Sequence, residues 1–220
     1  MLSRKKVLEL IEFGESLNIE FKQRFSSYEK VAKEMIAFAN TRGGYIFLGV
    51  DDDKSLYGLE SEKTDTELIK ETAEKYCEPK VEYQIEWFEI KGKDILAVHI
   101  FESKTKPHRI QDYKTKLDLN SAQVYVRVND KSVLASKEMI KILQSQANEK
   151  PLSHYEVGNQ EKMVFNYLDK NETITVKELS KAANLSERRA SRTLIKLVRA
   201  NLLLIHHKDN GESFFTYAGQ

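Results

Sequence analysis

Ala37-Phe38-Ala39-Asn40-Thr41-Arg42-Gly43-Gly44-Tyr45-Ile46-Phe47-Leu48-Gly49-Val50-Asp51-Asp52-Asp53 is the stretch on which the fold turns. Val31, Met35, Phe38 and Ala39 lead into it at the spacing of one face of an amphipathic helix, and Gly43-Gly44 stops that helix. Tyr45 to Val50 is a short apolar run rich in β-favouring residues, as expected of a strand buried on both faces. It ends in three aspartates, at the carboxyl end of a central strand, where open α/β sheets place ligands. Gly43-Gly44 reads either as a helix C-cap or as a phosphate contact. It is not a P-loop, because no lysine followed by Ser or Thr comes after the glycines. Asp51-Asp52-Asp53 taken alone reads as a solvated turn.

Working outward toward the N-terminus, Lys5 to Phe13 has the pattern of a short helix closed by Gly14. Ile19 to Lys22 alternates like a half-buried strand, so Glu20 and Lys22 share a face. Such a pair is either a solvated charge pair or, as in some nucleases, a holder of metal and scissile phosphate. Toward the C-terminus, Thr64 to Tyr76 reads as a helix with Leu68, Ile69, Thr72 and Ala73 inward, ended by Pro79. Val81–Ile90 and Asp94–Phe101 read as strands joined by a turn at Lys91-Gly92-Lys93. Lys104 to Arg109 is a basic loop, either a plain connection or a set of donors to a phosphate backbone through Lys106. Val124 to Val128 alternates, with Tyr125 and Arg127 opposite the valines, and Ser136 caps a helix reaching about Gln146.

The polar segment 148–158 contains Pro151, His154 and Gly158 and reads as a linker between a domain at 1–147 and a smaller one at 159–220. Beyond it come a helix at Glu161–Leu168, a short extended piece, a capping box at Thr175 and Glu178 opening a helix, a turn at Asn184-Leu185, and a third helix capped by Ser186. Two strands around Asn210-Gly211 complete the series. This is the order of a winged helix-turn-helix. From Ser186 to Ala200, Arg188, Arg189, Arg192, Lys196 and Arg199 stand against Glu187 alone, in a chain of net charge +1. Arg188, Arg189 and Arg192 lie in the first two turns, where recognition helices meet base edges.

The bulk composition is that of an ordinary soluble globular protein: 220 residues, 40% hydrophobic and 31% charged. Near-neutral balance leaves any nucleic-acid contact to local clusters of Lys and Arg. One cysteine, Cys77, rules out an intramolecular disulfide and suits a reducing cytoplasm. Met1 to Lys6 is basic, but Glu9 and Glu12 interrupt the apolar positions after it, so no signal peptide is expected, and no apolar run is long enough to span a bilayer.

Glu15 through Lys22 (a glutamate, four residues, then Glu-Phe-Lys), the run from Ala37 to Asp51, and Tyr125-Val126-Arg127-Val128 together resemble the Schlafen-type AlbA-like domain, also labelled a divergent AAA or DNA-binding domain, over about residues 10 to 145. The resemblance implies an α+β fold with a mixed sheet and flanking helices. Bacterial members often carry a C-terminal winged helix and look like transcriptional regulators, which implies a cytoplasmic protein with duplex DNA as partner. In vertebrate Schlafen proteins the domain belongs to an RNA endonuclease. Carried over, its acids fall on Glu15, Glu20 and Asp51, with Asp52 as substitute and Lys22 beside them. Three such carboxylates imply Mg²⁺ or Mn²⁺. Two functions are therefore expected: a regulator binding duplex DNA through Arg188, Arg189, Arg192 and Lys196, assisted by Lys106 and Arg127, or a metal-dependent nuclease acting on RNA or DNA. Nucleotide binding by the N-terminal domain and a homodimeric assembly stay open.

Overall fold

The computed structural model describes residues 2–147 and 157–218, with the backbone alone at residue 147. Its elements in order are α1 (Arg4–Phe13), β1 (Ile19–Lys22), α2 (Tyr28–Asn40), β2 (Gly44–Leu48), α3 (Glu62–Glu71), β3 (Cys77–Glu78), β4 (Tyr83–Ile90), β5 (Lys93–Ile100), β6 (Arg109–Ile110), β7 (Tyr125–Val128) and β8 (Lys131–Leu134). Then come α4 (Lys137–Ala147), α5 (Asn159–Leu168), α6 (Val176–Ala182), α7 (Glu187–Arg199), β9 (Leu203–His207) and β10 (Ser213–Tyr217). By compactness the chain divides into Met1–Leu134 and Ala135–Gln220. The division differs from the boundary expected at residue 147, because α4 groups with the second unit. Most of the expected linker, residues 148–156, lies outside the described residues.

In the first unit a mixed sheet has the order β1-β2-β5-β4, with β1 parallel to β2 and the other neighbours antiparallel. The strand read as buried on both faces is β2. Its Ile46 and Leu48 join Val31, Met35, Ile36 and Phe38 of α2 and Leu96, Val98 and Ile100 of β5 in one core. Phe47 points the other way, to a core with Val7 and Ile11 of α1, Phe21 of β1 and Ile95 and Ala97 of β5. Each such fully buried side chain contributes about 1.5–3 kcal/mol of transfer free energy, so the two-faced burial of β2 anchors the unit.

Local chemistry explains the element ends. Ser3, Ser27 and Ser61 each accept the N–H three residues on and so start α1, α2 and α3. Lys91 and Gly92 both take positive φ, the geometry of a tight hairpin between β4 and β5. A π-helical turn, Thr72–Tyr76, continues α3 with Thr72 and Ala73 buried, and burial pushes the thiol of Cys77 up to about 12, as suits a packed residue. The glycine pair acts as a C-cap: Gly43, at φ 68°, donates its N–H to Phe38 O at 2.9 Å. A Cβ on Gly43 would stand 2.6 Å from Ile100 O, and one on Gly44 2.6 Å from the Phe38 ring, so the packing itself requires glycine at both positions.

In the second unit, α5, α6 and α7 enclose a core of Val164, Leu168, Leu179, Ala190, Leu194 and Leu197 together with Leu203 and Phe215 of the β9-β10 hairpin. The capping box is present: Thr175 and Glu178 hydrogen-bond reciprocally at the start of α6. Ile174 pairs with Phe215, tying the extended piece before α6 to the hairpin. Ser186 caps α7. Helix α4 packs beside α7, where Ser191 Oγ donates to Glu138 Oε1 at 2.6 Å.

Candidate functional site

The acidic residues of the first unit do not stand as an open cluster. Glu20, on β1, is buried at 7% exposure. One of its oxygens accepts from Lys22 Nζ, and the other from Arg127 Nη1 at 2.8 Å. Glu34, on the apolar face of α2, shares the same Arg127 nitrogen at 3.1 Å and accepts from Ser132 Oγ of β8. Arg127 Nη2 donates to the carbonyl of Ser16 at 2.7 Å, and the guanidinium lies over the Phe38 ring, 4.6 Å from its centroid. The guanidinium thus joins β1, α2 and β7 from inside, its side chain wholly buried. Tyr125 and Arg127 do lie opposite the valines, but Arg127 points into the unit. The expected nucleic-acid contact through Arg127 is corrected accordingly, since a buried arginine holding two carboxylates offers nothing to a phosphate.

Lys106 is also held inward. Its Nζ donates to Thr41 O at 3.0 Å and to Glu102 Oε1 at 2.6 Å, and its side chain is 8% exposed. Beside it, His108 is buried with Nδ1 at 2.7 Å from Pro79 O and Nε2 at 2.6 Å from Ser103 Oγ, and burial lowers its pKa. Asn40 closes this corner, donating to the carbonyls of His108 and Tyr125 and accepting from the His108 N–H. These are bonds of a packed loop.

Glu15 accepts the Phe21 N–H at 2.9 Å. Burial raises its pKa; the Phe21 bond opposes this, and the charges of Glu20 and Asp52 add to it. Asp51 accepts from Gln23 Nε2 at 3.0 Å and from the N–H of Asp52. The aspartates form a tight turn, with Asp51 N bonded to Ser55 O and Val50 bridged to Leu56, and Asp52 and Asp53 are exposed. Among the described residues no group of three His, Cys, Asp or Glu side chains is placed to hold a metal ion. The donor set of Glu15, Glu20 and Asp51 therefore does not fit Mg²⁺ or Mn²⁺, because Glu20 is already held by Lys22 and Arg127.

The second unit is different. Helix α7 buries Ala190, Ser191, Thr193, Leu194, Ile195 and Leu197 and leaves Arg188, Arg189, Arg192, Lys196 and Arg199 exposed. Arg189, Arg192, Lys196 and Arg199 recur at three, four and three residues, so they line one stripe. None of the five pairs with an acid among the described residues. The helix comes after α6 and a turn in which Asn184 takes φ 48°, and beyond it lies the exposed β9-β10 turn with Lys208.

Sequence reading missed Glu34 and Ser132. A signal for Glu34 was present, since it lies three residues after Val31 and four before Phe38, on the face that packs inward; a carboxylate there requires a buried partner.

Comparison with known proteins agrees with the fold of the first unit. The family described as Schlafen, AlbA_2 matches residues 15–136. An uncharacterized ATP-binding protein of Ureaplasma parvum is 32% identical over 87 residues, a match covering 37% of this chain and only 24% of that protein's length. The N-terminal domain of a RecG-related protein from Nitrosomonas europaea is 30% identical, with TM-score 0.40, covering 53% of this chain and 84% of that one. The DIP2311 protein of Corynebacterium diphtheriae is 15% identical, with TM-score 0.46, covering 93% of this chain and 46% of that one. No helix among the described residues is long and apolar enough to cross a membrane. With the family pattern spanning more than half of its length, the chain belongs to the Schlafen AlbA_2 family.

Proposed function

We propose that the protein is a transcriptional regulator that binds duplex DNA through its second unit, with α7 as the recognition helix of a winged helix-turn-helix. The observation that carries this reading is the exposed cationic stripe of α7, without an acid partner among the described residues, opposite its buried apolar face. The stripe concentrates charge that the rest of this nearly neutral chain balances, and phosphate neutralisation supplies most of the non-specific affinity of such proteins. Arg188, Arg189 and Arg192, in the first turns, are the residues able to make bidentate contacts to guanine in the major groove, while Lys196 and Arg199 suit backbone phosphates. The β9-β10 hairpin would act as the wing.

The first unit would assist with nucleic-acid or nucleotide binding. Nucleotide binding is favoured by the relative named as ATP-binding, and nucleic-acid binding by membership of the Schlafen AlbA_2 family. The alternative of a nuclease built on Glu15, Glu20 and Asp51 has no such support, because Glu20 is committed to Arg127 and Lys22. Selection of bound duplexes from a random library tests the regulator reading: enrichment of a defined sequence is expected, and recovery of unbiased sequence would contradict it.

A further inference from the structure

The mixed sheet of the first unit ends on one side in β4, and among the described residues no element pairs with the outer edge of that strand. The edge is long and regular. All eight residues of Tyr83–Ile90 face β5 one to one, with no bulge, and neither proline nor lysine interrupts them. Sheets ordinarily blunt an edge with a short strand, a bulge, a proline or a lysine, and β4 has none of these. The Phe101 N–H donates to Glu82 O at 3.2 Å, so Glu82 and Phe101 form a hydrogen-bonded pair, and in an antiparallel ladder such pairs recur at every second residue. Gln84, Glu86, Phe88 and Ile90 therefore direct their N–H and C=O groups at β5. Tyr83, Ile85, Trp87 and Glu89 turn theirs outward.

The edge is firmly held, and its surroundings are acidic. Tyr83, Ile85 and Trp87 pack against the core between the sheet and α2, and Trp87 Nε1 donates to Thr66 Oγ1 of α3 at 3.2 Å. Over residues 60–89, which take in α3 and nearly all of β4, ten acids stand against four lysines in a chain of net charge +1. Burial raises the pKa of Tyr83, and the charges of Glu74 and Glu67 add to it, which puts both acids beside that end of the strand. Glu67, Glu74, Glu82 and Glu89 are exposed, and none of them forms an ion pair among the described residues.

The charge selects the occupant. A second copy of the chain, paired edge to edge, would bring Glu82, Glu86 and Glu89 up to their own counterparts, and like charges across a strand pair are destabilising. A strand in which lysine or arginine alternates with apolar residues satisfies the outward backbone groups and the acids together. We propose that the outer edge of β4 is a docking site for an extended basic segment of a partner protein, which adds to the sheet as a fifth strand. Main-chain hydrogen bonds hold the segment, and the acids of α3 and β4 set its charge.

Trp87 is the sole tryptophan and lies in this strand, so its emission reports occupancy without a label. The test titrates the full chain with a heptapeptide of alternating lysine and valine, blocked at both ends. A saturable change in Trp87 emission is expected, weakening as salt is added. The fully N-methylated form of the peptide keeps the charge but lacks every backbone donor, and it should bind at least about tenfold more weakly. The glutamate-valine counterpart should give no saturable change. Glu82→Lys combined with Glu89→Lys, at two exposed positions, should weaken the lysine-valine peptide by about threefold or more. An unchanged emission with the lysine-valine peptide, equal binding of the N-methylated or the glutamate form, or a double variant that binds as the parent does would each overturn the proposal. A dimer of the parent that the peptide dissociates would put a second copy on the edge and overturn it as well.

Discussion

Arg127 Nη1 lies 2.8 Å from Glu20 Oε2, joining residues that stand 107 positions apart in the chain. The same nitrogen holds Glu34, so one guanidinium bridges two carboxylates in the interior, with Lys22 as a second cation on Glu20 and Lys33 on Glu34. Removing it would leave both acids buried without their shared partner, which typically costs about 3–5 kcal/mol. Arg127→Ala should therefore lower the unfolding temperature strongly, whereas Arg127→Ala combined with Glu20→Gln and Glu34→Gln should recover part of the loss. Thermal melts of the variants check this. An Arg127→Ala protein as stable as the parent, with only nucleic-acid affinity reduced, would return Arg127 to the binding surface.

His108 gives the pH dependence. Burial holds its folded pKa below the ordinary 6.5, and His99 and His207 shift in the same direction for the same reason. Below pH of about 6.5 the unfolded chain takes up protons that the folded chain refuses, so stability should fall as the pH drops through that value and should be insensitive to these groups above it. The drop in unfolding temperature between pH 7.5 and 5 should be smaller in His108→Gln than in the parent. An equal drop in both would show that His108 is not a source of the acid sensitivity.

Much of this architecture was legible in the sequence because it is set by neighbours a few residues apart. The Ser136 and Ser186 caps, the Thr175–Glu178 capping box and the positive-φ turn at Lys91-Gly92 each depend on contacts within one turn or one hairpin, and Ile19–Lys22 shows in its own alternation although its partner β2 lies beyond α2. The features that were not legible depend on distant partners. The two-residue pairing of β3 with β6 joins residues far apart in the chain. β8, at Lys131–Leu134, is the exception: its hairpin with β7 is local, but its polar opening, Lys131-Ser132, carries no strand pattern. The alternation of β7 places Arg127 on the correct face of its strand, but the inward direction of that face depends on Glu20 and Glu34, from the other end of the unit. The family's acidic pattern likewise reads as a metal site until the arginine that occupies Glu20 is seen.

Helix α4 bears on where the second unit begins. It contacts α7, Ser191 bonds to Glu138, and Ser213 Oγ lies 2.6 Å from Ser136 Oγ at the helix start. A fragment of residues 135–220 should therefore unfold at a higher temperature than one of residues 159–220. Equal melting temperatures would place α4 outside the second unit's stability and restore a boundary near residue 147.

The duplex recognition proposed for the arginines at the start of α7 is tested most directly by the salt dependence of duplex binding. Removing one phosphate contact should shrink the slope of log affinity against log salt by about one, and removing one arginine-guanine contact should cost about 1–3 kcal/mol of specific binding. The variant carrying Arg188→Ala, Arg189→Ala and Arg192→Ala should thus bind a selected duplex much more weakly than the parent, with a shallower salt slope or without its preference over random sequence. A triple variant that keeps the parent's affinity, slope and preference would contradict the assignment of α7 as the recognition helix.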